Sequence, residues 1–143
     1  MWVCSLCNQQ FVRDNQHHSC RDKQVIDFFK GKPAHLAELF DHLVMNFREL
    51  GDVKYHATKS MIAFSVRTRI AYITRVGKNF IDVSFMFNKP FNDNLCFYRI
   101  GRVPGTDQYN HYFRMIYEDD INEEVKQYMK LAILENEKQY GEA

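Results

Sequence analysis

The sequence predicts an α+β fold: an antiparallel strand meander covered by helices on one face, with a small N-terminal zinc-binding module. Three observations carry that prediction. Apolar residues recur with a 3.6-residue period between Pro33 and Gly51. The period changes to two from about Met61, and three of the four cysteines fall in the first 20 residues. A chain of 143 residues, 45% hydrophobic and 15% aromatic, has apolar mass for one sizeable core. The only break in composition lies near Asp22, so the expected boundaries are 1–21 for the zinc-binding module and 22–143 for the α+β domain.

At the front, Cys4 and Cys7 are separated by two residues, a spacing that lets one tight turn aim both thiolates at a single cation. The remaining ligands are Cys20 and one histidine, which gives Cys-x2-Cys-x10-His-x-Cys with His18 or Cys-x2-Cys-x9-His-x2-Cys with His17. Three thiolates and an imidazole complete a closed tetrahedral site for one structural Zn2+. So short a polar segment, with Phe11 and Val12 as its core, needs metal for most of its stability. The other reading, a redox pair, calls for a strand before the cysteines and a helix after them, and Asn8-Gln9-Gln10 offers neither. A DNA-reading finger needs about twelve residues before its first histidine and a recognition helix between the ligand pairs, for which this return leg is too short.

Along the domain, Asp22 is expected to cap a short helix through Phe28 and Phe29 that stops at Gly31. The second helix runs between Pro33 and Gly51, with Leu36, Leu39, Phe40, Leu43, Val44, Phe47 and Leu50 on one face. Ile62, Phe64 and Val66 alternate with smaller residues, and Ile81, Val83, Phe85 and Phe87 alternate with polar ones, which predicts half-buried strands. Val76-Gly77-Lys78-Asn79 is a plausible hairpin turn between two of the strands. Two more strands are expected over Leu95–Arg102 and Tyr109–Tyr117, divided at Pro104-Gly105. The last helix is expected to open on Asp120 and Glu123, the spacing of a capping box, and to end near Gly141. Periodicity does not give the strand order.

Composition excludes collagen-like, coiled-coil and disordered chains. No apolar run approaches the ~20 residues that span a bilayer. With no signal-peptide core in residues 1–30, a cytoplasmic, monomeric protein without membrane contact is expected. The net charge of +1 hides a segregation: residues 118–143 carry a balance of −5, and residues 54–114 one of +7. A basic middle faces an anionic partner, or else the acidic C-terminal segment packs beside it and neutralises it.

Candidate ligand-binding residues follow from that segment. Thr58 and Lys59, beside Ser60, offer a hydroxyl and an ammonium to a phosphate or carboxylate. Arg67, Arg69, Arg99, Arg102 and Arg114 lie in or beside strands. If several emerge on the uncovered face with Tyr72, Tyr98 and Tyr112, the sheet presents a basic, aromatic surface suited to single-stranded nucleic acid. The plainer reading is that these arginines solvate an exposed face. His111 is a candidate contact or a partly buried strand histidine, and Cys96 is an inert thiol. His35 and His42 share a helix face but lack a third ligand. No catalytic residue is assigned: the chain shows no Gly-rich phosphate loop and no nucleophile elbow, and the zinc site leaves no open position for an activated water. The expectation is a binding module whose first partner is nucleic acid. A protein-interaction or regulatory adaptor and a small-anion binder are the alternatives.

The segments Trp2-Val3-Cys4-Ser5-Leu6-Cys7, Phe11 and Asn15-Gln16-His17-His18-Ser19-Cys20 resemble an N-terminal zinc-ribbon-like module of small bacterial proteins. Those proteins carry the domain of unknown function numbered fifty-six fifty-five. Their usual Asn-Gln-Trp-His-Ser-Cys is matched with His17 in place of Trp, so the resemblance implies His18 as the ligand beside Cys4, Cys7 and Cys20. Further segments resemble that domain's landmarks in order: Phe28-Phe29-Lys30-Gly31-Lys32, Phe40-Asp41-His42-Leu43, Thr58-Lys59-Ser60, and Tyr109 to Arg114. The family's usual His-His-Phe is His111-Tyr112-Phe113 here. The resemblance implies an α+β domain of undetermined activity and leaves the partner open.

Overall fold

A computed structural model of the chain describes residues 2–3, 10–11 and 24–141. Two short strands, β1 (Trp2–Val3) and β2 (Gln10–Phe11), pair antiparallel with Trp2 opposite Phe11. A 3-10 turn (Val25–Phe29) and helix α1 (Ala34–Leu50) follow. Then come β3 (Lys54–Ala57), β4 (Ile62–Ser65), β5 (Arg69–Val76), β6 (Ile81–Phe87), β7 (Arg99–Arg102) and β8 (Tyr109–Met115). A second 3-10 turn (Glu118–Asp120) leads into α2 (Glu123–Gly141). The fold is α+β. Among the described residues no helix is long and apolar enough to cross a membrane.

The helix expected from Asp22 is a single 3-10 turn. Asp22 lies outside the described residues, and Asp27 organises the turn by accepting a hydrogen bond from the Gln24 N–H at 2.8 Å. Gly31, at φ +72°, then reverses the chain in a conformation that costs other L-residues more. α1 matches its periodicity: Leu36, Leu43 and Phe47 are fully buried, and the Gly51 N–H closes its last turn on the Phe47 carbonyl at 3.1 Å. At α2 the cap differs from the expected one. Asn122 accepts the Val125 N–H at 2.9 Å. Asp120 instead takes the N–H groups of Ile116 and Tyr117 at 2.7 and 2.8 Å.

The six-stranded sheet is antiparallel in the order β3-β4-β5-β6-β8-β7. It runs as a meander through β6. The last hairpin then folds back so that β8 lies beside β6 and β7 forms the edge. Both helices pack on one face. Phe47 of α1 meets Phe64 at 5.0 Å and Phe85 at 6.2 Å between ring centroids, and Val125, Met129, Ala132 and Ile133 of α2 complete the same core. Each fully buried Phe or Ile removes enough apolar surface to contribute about 1.5–3 kcal/mol, and this layer is what holds the sheet.

The other face of the sheet carries the row His56, Ala63, Tyr72, Ser84, Tyr112 and Arg99, one residue from each strand. Two irregularities in β5 decide what else joins it. Strict alternation puts Arg69 and Arg75 with Ala71 and Ile73, which face the helices. The register shifts between Phe64 and Ser65 and between Ile73 and Arg75. The first sends Ile70 into the core, fully buried, and leaves Arg69 against His56 and Tyr72. The second sets Arg75 opposite Asp82, whose neighbours Ile81 and Val83 point inward. Each shift re-aims one arginine onto the face without helices, as β-bulges do.

Candidate nucleic-acid interface

On that uncovered face a continuous series of guanidinium and ring contacts crosses four strands. The Arg75 guanidinium carbon lies 5.4 Å from the Phe80 ring centroid, and that of Arg114 lies 4.0 Å from the same ring. Arg114 is also 5.2 Å from Tyr98, Tyr98 is 6.1 Å from Tyr112, and Arg99 lies 5.4 Å from Tyr112. Towards the other end of the face, Arg69 donates to the Tyr72 hydroxyl at 3.3 Å and lies 3.4 Å from His56 Nε2. Tyr72 and Arg99 are three strand spacings apart, ~14 Å at ~4.8 Å per strand.

The cations of this face are not equivalent. Arg114 is held by Asp82 through two parallel hydrogen bonds, Nε to Oδ1 at 2.8 Å and Nη2 to Oδ2 at 3.0 Å. Asp82 is 5% exposed, so the carboxylate is spent on Arg114 and fixes its plane above Phe80. Hydrogen bonding to Asp82 raises the Arg114 pKa further above its already high ordinary value. Arg69, Arg75 and Arg99 are exposed, and Arg99 has no carboxylate partner among the described residues. The Tyr98 phenol is pushed above its usual pKa, first by partial burial and then by the Asp82 charge, so the hydroxyl stays neutral. α2, with Glu123 and Glu124 in its first turn, packs on the opposite side of the sheet.

Not every candidate reaches this face. Thr58 and Lys59 sit in the β3–β4 turn and Arg67 in the β4–β5 turn, at opposite ends of β4. The Thr58 hydroxyl accepts from the Met61 N–H at 3.0 Å and donates to the Met61 carbonyl at 3.1 Å, so turn formation consumes it. Arg102 closes its own β-turn through the Thr106 carbonyl at 2.8 Å.

His111 faces the helices and is fully buried, on the side opposite Tyr112 and Arg114. Its Nε2 accepts from the Phe91 N–H at 3.0 Å, and its Nδ1 lies 3.1 Å from the Tyr109 carbonyl. Phe87, Phe97 and Phe91 surround the ring at 5.0, 5.1 and 5.6 Å. Burial pushes its pKa below the ordinary histidine value, which keeps the ring neutral with the proton on Nδ1. It is a strut that fastens the 88–98 loop to the sheet. Cys96, in the same loop, has its thiol pKa pushed up to about 12 by burial and by Glu124, which makes it unreactive. Phe80 was missed by sequence reasoning. Its place after Gly77-Lys78-Asn79, in a tight hairpin beside Asp82, was the available signal.

Cys4, Cys7, His18 and Cys20 lie outside the described residues. Among the described residues no group of three or more His, Cys, Asp or Glu side chains is placed to hold a metal. One feature bears on the fit of zinc at the front of the chain. β1 and β2 pair antiparallel, and Cys4 and Cys7 fall between them in the sequence. A Cys-x2-Cys pair has the donor chemistry that a tetrahedral thiolate site uses.

A family model described as a domain of unknown function, DUF5655, matches residues 25–133, from the first 3-10 turn to Ile133 of α2. The chain belongs to the DUF5655 family. No curated protein and no solved structure matches it. The matched span of the DUF5655 domain contains both faces of the sheet, and it leaves out the cysteine-bearing segment before residue 25.

Proposed function

We propose that this DUF5655 protein is a nucleic-acid-binding module that uses the uncovered sheet face. The observation that carries the reading is the unbroken series Arg75–Phe80–Arg114–Tyr98–Tyr112–Arg99 on the side away from α2. Exposed guanidinium groups supply phosphate contacts and the rings supply apolar faces for bases, the two ingredients of nucleic-acid surfaces that read little sequence. Lys59 and Arg67, at the strand ends, add field and no base contact. The test is a salt titration of a labelled oligonucleotide followed by fluorescence anisotropy. Affinity falls linearly with salt on a log–log scale, with a slope set by the number of phosphates engaged. Absence of binding at low salt rejects the reading.

Cys4, Cys7, His18 and Cys20 hold one structural Zn2+ in the same reading. The β1–β2 pairing around the first two cysteines supports it, together with a donor set of three thiolates and an imidazole. The ion would supply folding energy to the N-terminal segment and no catalytic position. Elemental analysis of purified protein is expected to find about one zinc per chain, lost in Cys7→Ser. A metal-free folded preparation rejects the assignment.

A further inference from the structure

We infer that the ligand of this face is single-stranded, with bases stacked on Tyr98 and Tyr112, and that Arg99 is a displaceable placeholder on the Tyr112 ring. The inference rests on the nucleic-acid reading and narrows it to one substrate class.

Ring faces are what this surface offers. Tyr98 is 55% exposed, and Tyr112 stands half-buried beside it with the ring planes at 40°. A duplex keeps its base faces stacked on one another and presents base edges and phosphates in its grooves. Tyrosine rings lying along a sheet therefore have nothing to stack on in a duplex. A single strand, whose bases splay out, meets them face to face.

The two arginines beside these rings divide the remaining work. Arg114 is clamped by Asp82 and sits between Phe80 and Tyr98, so it is part of the platform floor. Arg99 covers Tyr112 with only that ring as its partner among the described residues. When a strand arrives, its phosphate is the better partner for the Arg99 guanidinium. The side chain then leaves the ring, and a base takes its place. Gly101 lies beside that approach. It shares the face with Arg99 at the sheet edge, and a Cβ built on it lies 4.0 Å from the Tyr112 ring edge and from the Arg99 guanidinium.

The experiment compares one labelled 20-mer as a single strand and as a duplex with its complement, at the same salt, using the full chain. The single strand is expected to bind at least tenfold tighter. Tyr112→Leu and Tyr98→Leu are each expected to weaken single-strand binding by about 5- to 150-fold, the range for losing one stacked base, and to leave the salt slope unchanged. Arg99→Ala is expected to lower the slope by about 0.7, one phosphate fewer. The wild-type comparison needs no variant to fold. Duplex binding as tight as single-strand binding overturns the inference and leaves nucleic-acid binding standing, as do ring variants with unchanged affinity. Binding to neither form overturns both.

Discussion

Acidification is expected to destabilise this fold through His111. In the neutral ring, Nδ1–H donates to the Tyr109 carbonyl and Nε2 accepts from the Phe91 N–H. A second proton would set an N–H against an N–H at 3.0 Å, inside a fully buried aromatic cage of Phe87, Phe91 and Phe97. The folded-state pKa is lowered by burial, while the unfolded chain titrates near 6.5. Above about pH 6.5 the ring is neutral in both states and stability does not depend on it. As pH falls through that value the unfolded chain takes up a proton that the folded chain refuses. Stability then drops by up to about 1.4 kcal/mol per pH unit, until the lowered folded pKa is reached. The groups nearest the cage belong to its loop and to α2: Cys96, Asp93, Glu124 and Tyr128. Tyr128 and Cys96 are pushed upward and stay neutral throughout this range. Urea unfolding at pH 7.5 and pH 5.5, for wild type and His111→Gln, isolates the contribution, because Gln accepts the Phe91 N–H without titrating. Wild type should lose more stability than the variant over that interval, at most about 1.4 kcal/mol per pH unit below 6.5. Equal losses would refute the assignment of His111 as a neutral strut.

Three further outcomes test the packing and the charge arrangement. Phe47→Ala, at the contact of α1 with Phe64 and Phe85, is expected to cost about 3–5 kcal/mol in chemical denaturation. Gly31→Ala meets no atom within 4 Å, so calorimetry should register only the backbone cost of a positive φ, about 1–2 kcal/mol. Asp82→Asn removes the charge that occupies Arg114, and the salt slope of oligonucleotide binding should steepen by about 0.7, since one more cation reaches phosphate.

Where one physical effect dominated a segment, its structure was legible from residues alone. α1 is amphipathic over its whole length, and β6 alternates Ile81, Val83, Phe85 and Phe87 against polar residues, so hydrophobic periodicity located both. β3 escaped because Lys54-Tyr55-His56-Ala57 is a short edge strand without an apolar alternation. The expected strand over Leu95–Arg102 shrinks to Arg99–Arg102. Leu95 is 98% exposed, and its N–H is taken by Glu124, while Asn94 accepts the Phe97 N–H. Those bonds are made by side chains distant in sequence or specific to one turn, and hydrophobic pattern is blind to both. His111 was readable in principle, since it alternates in step with Phe113 and Met115 and out of step with Tyr112 and Arg114. The reverse holds for Arg69 and Arg75, which alternation places on the wrong face and two register shifts bring out.

Net charge is a poor guide to how this molecule meets a polyanion. A total of +1 predicts almost no long-range attraction. The fold nevertheless groups cations: Arg69, Arg75 and Arg99 stand on the face of the sheet away from α2, whose first turn carries Glu123 and Glu124. Asp82, a carboxylate buried on the front, is committed to Arg114. At ~0.15 M salt the screening length is about 8 Å, shorter than the thickness of a helix packed on a sheet, so an approaching phosphate responds to the near face and hardly at all to the acids behind it. Arginines turned outward by bulges, on the face opposite α2, give a nearly neutral protein a one-sided basic surface.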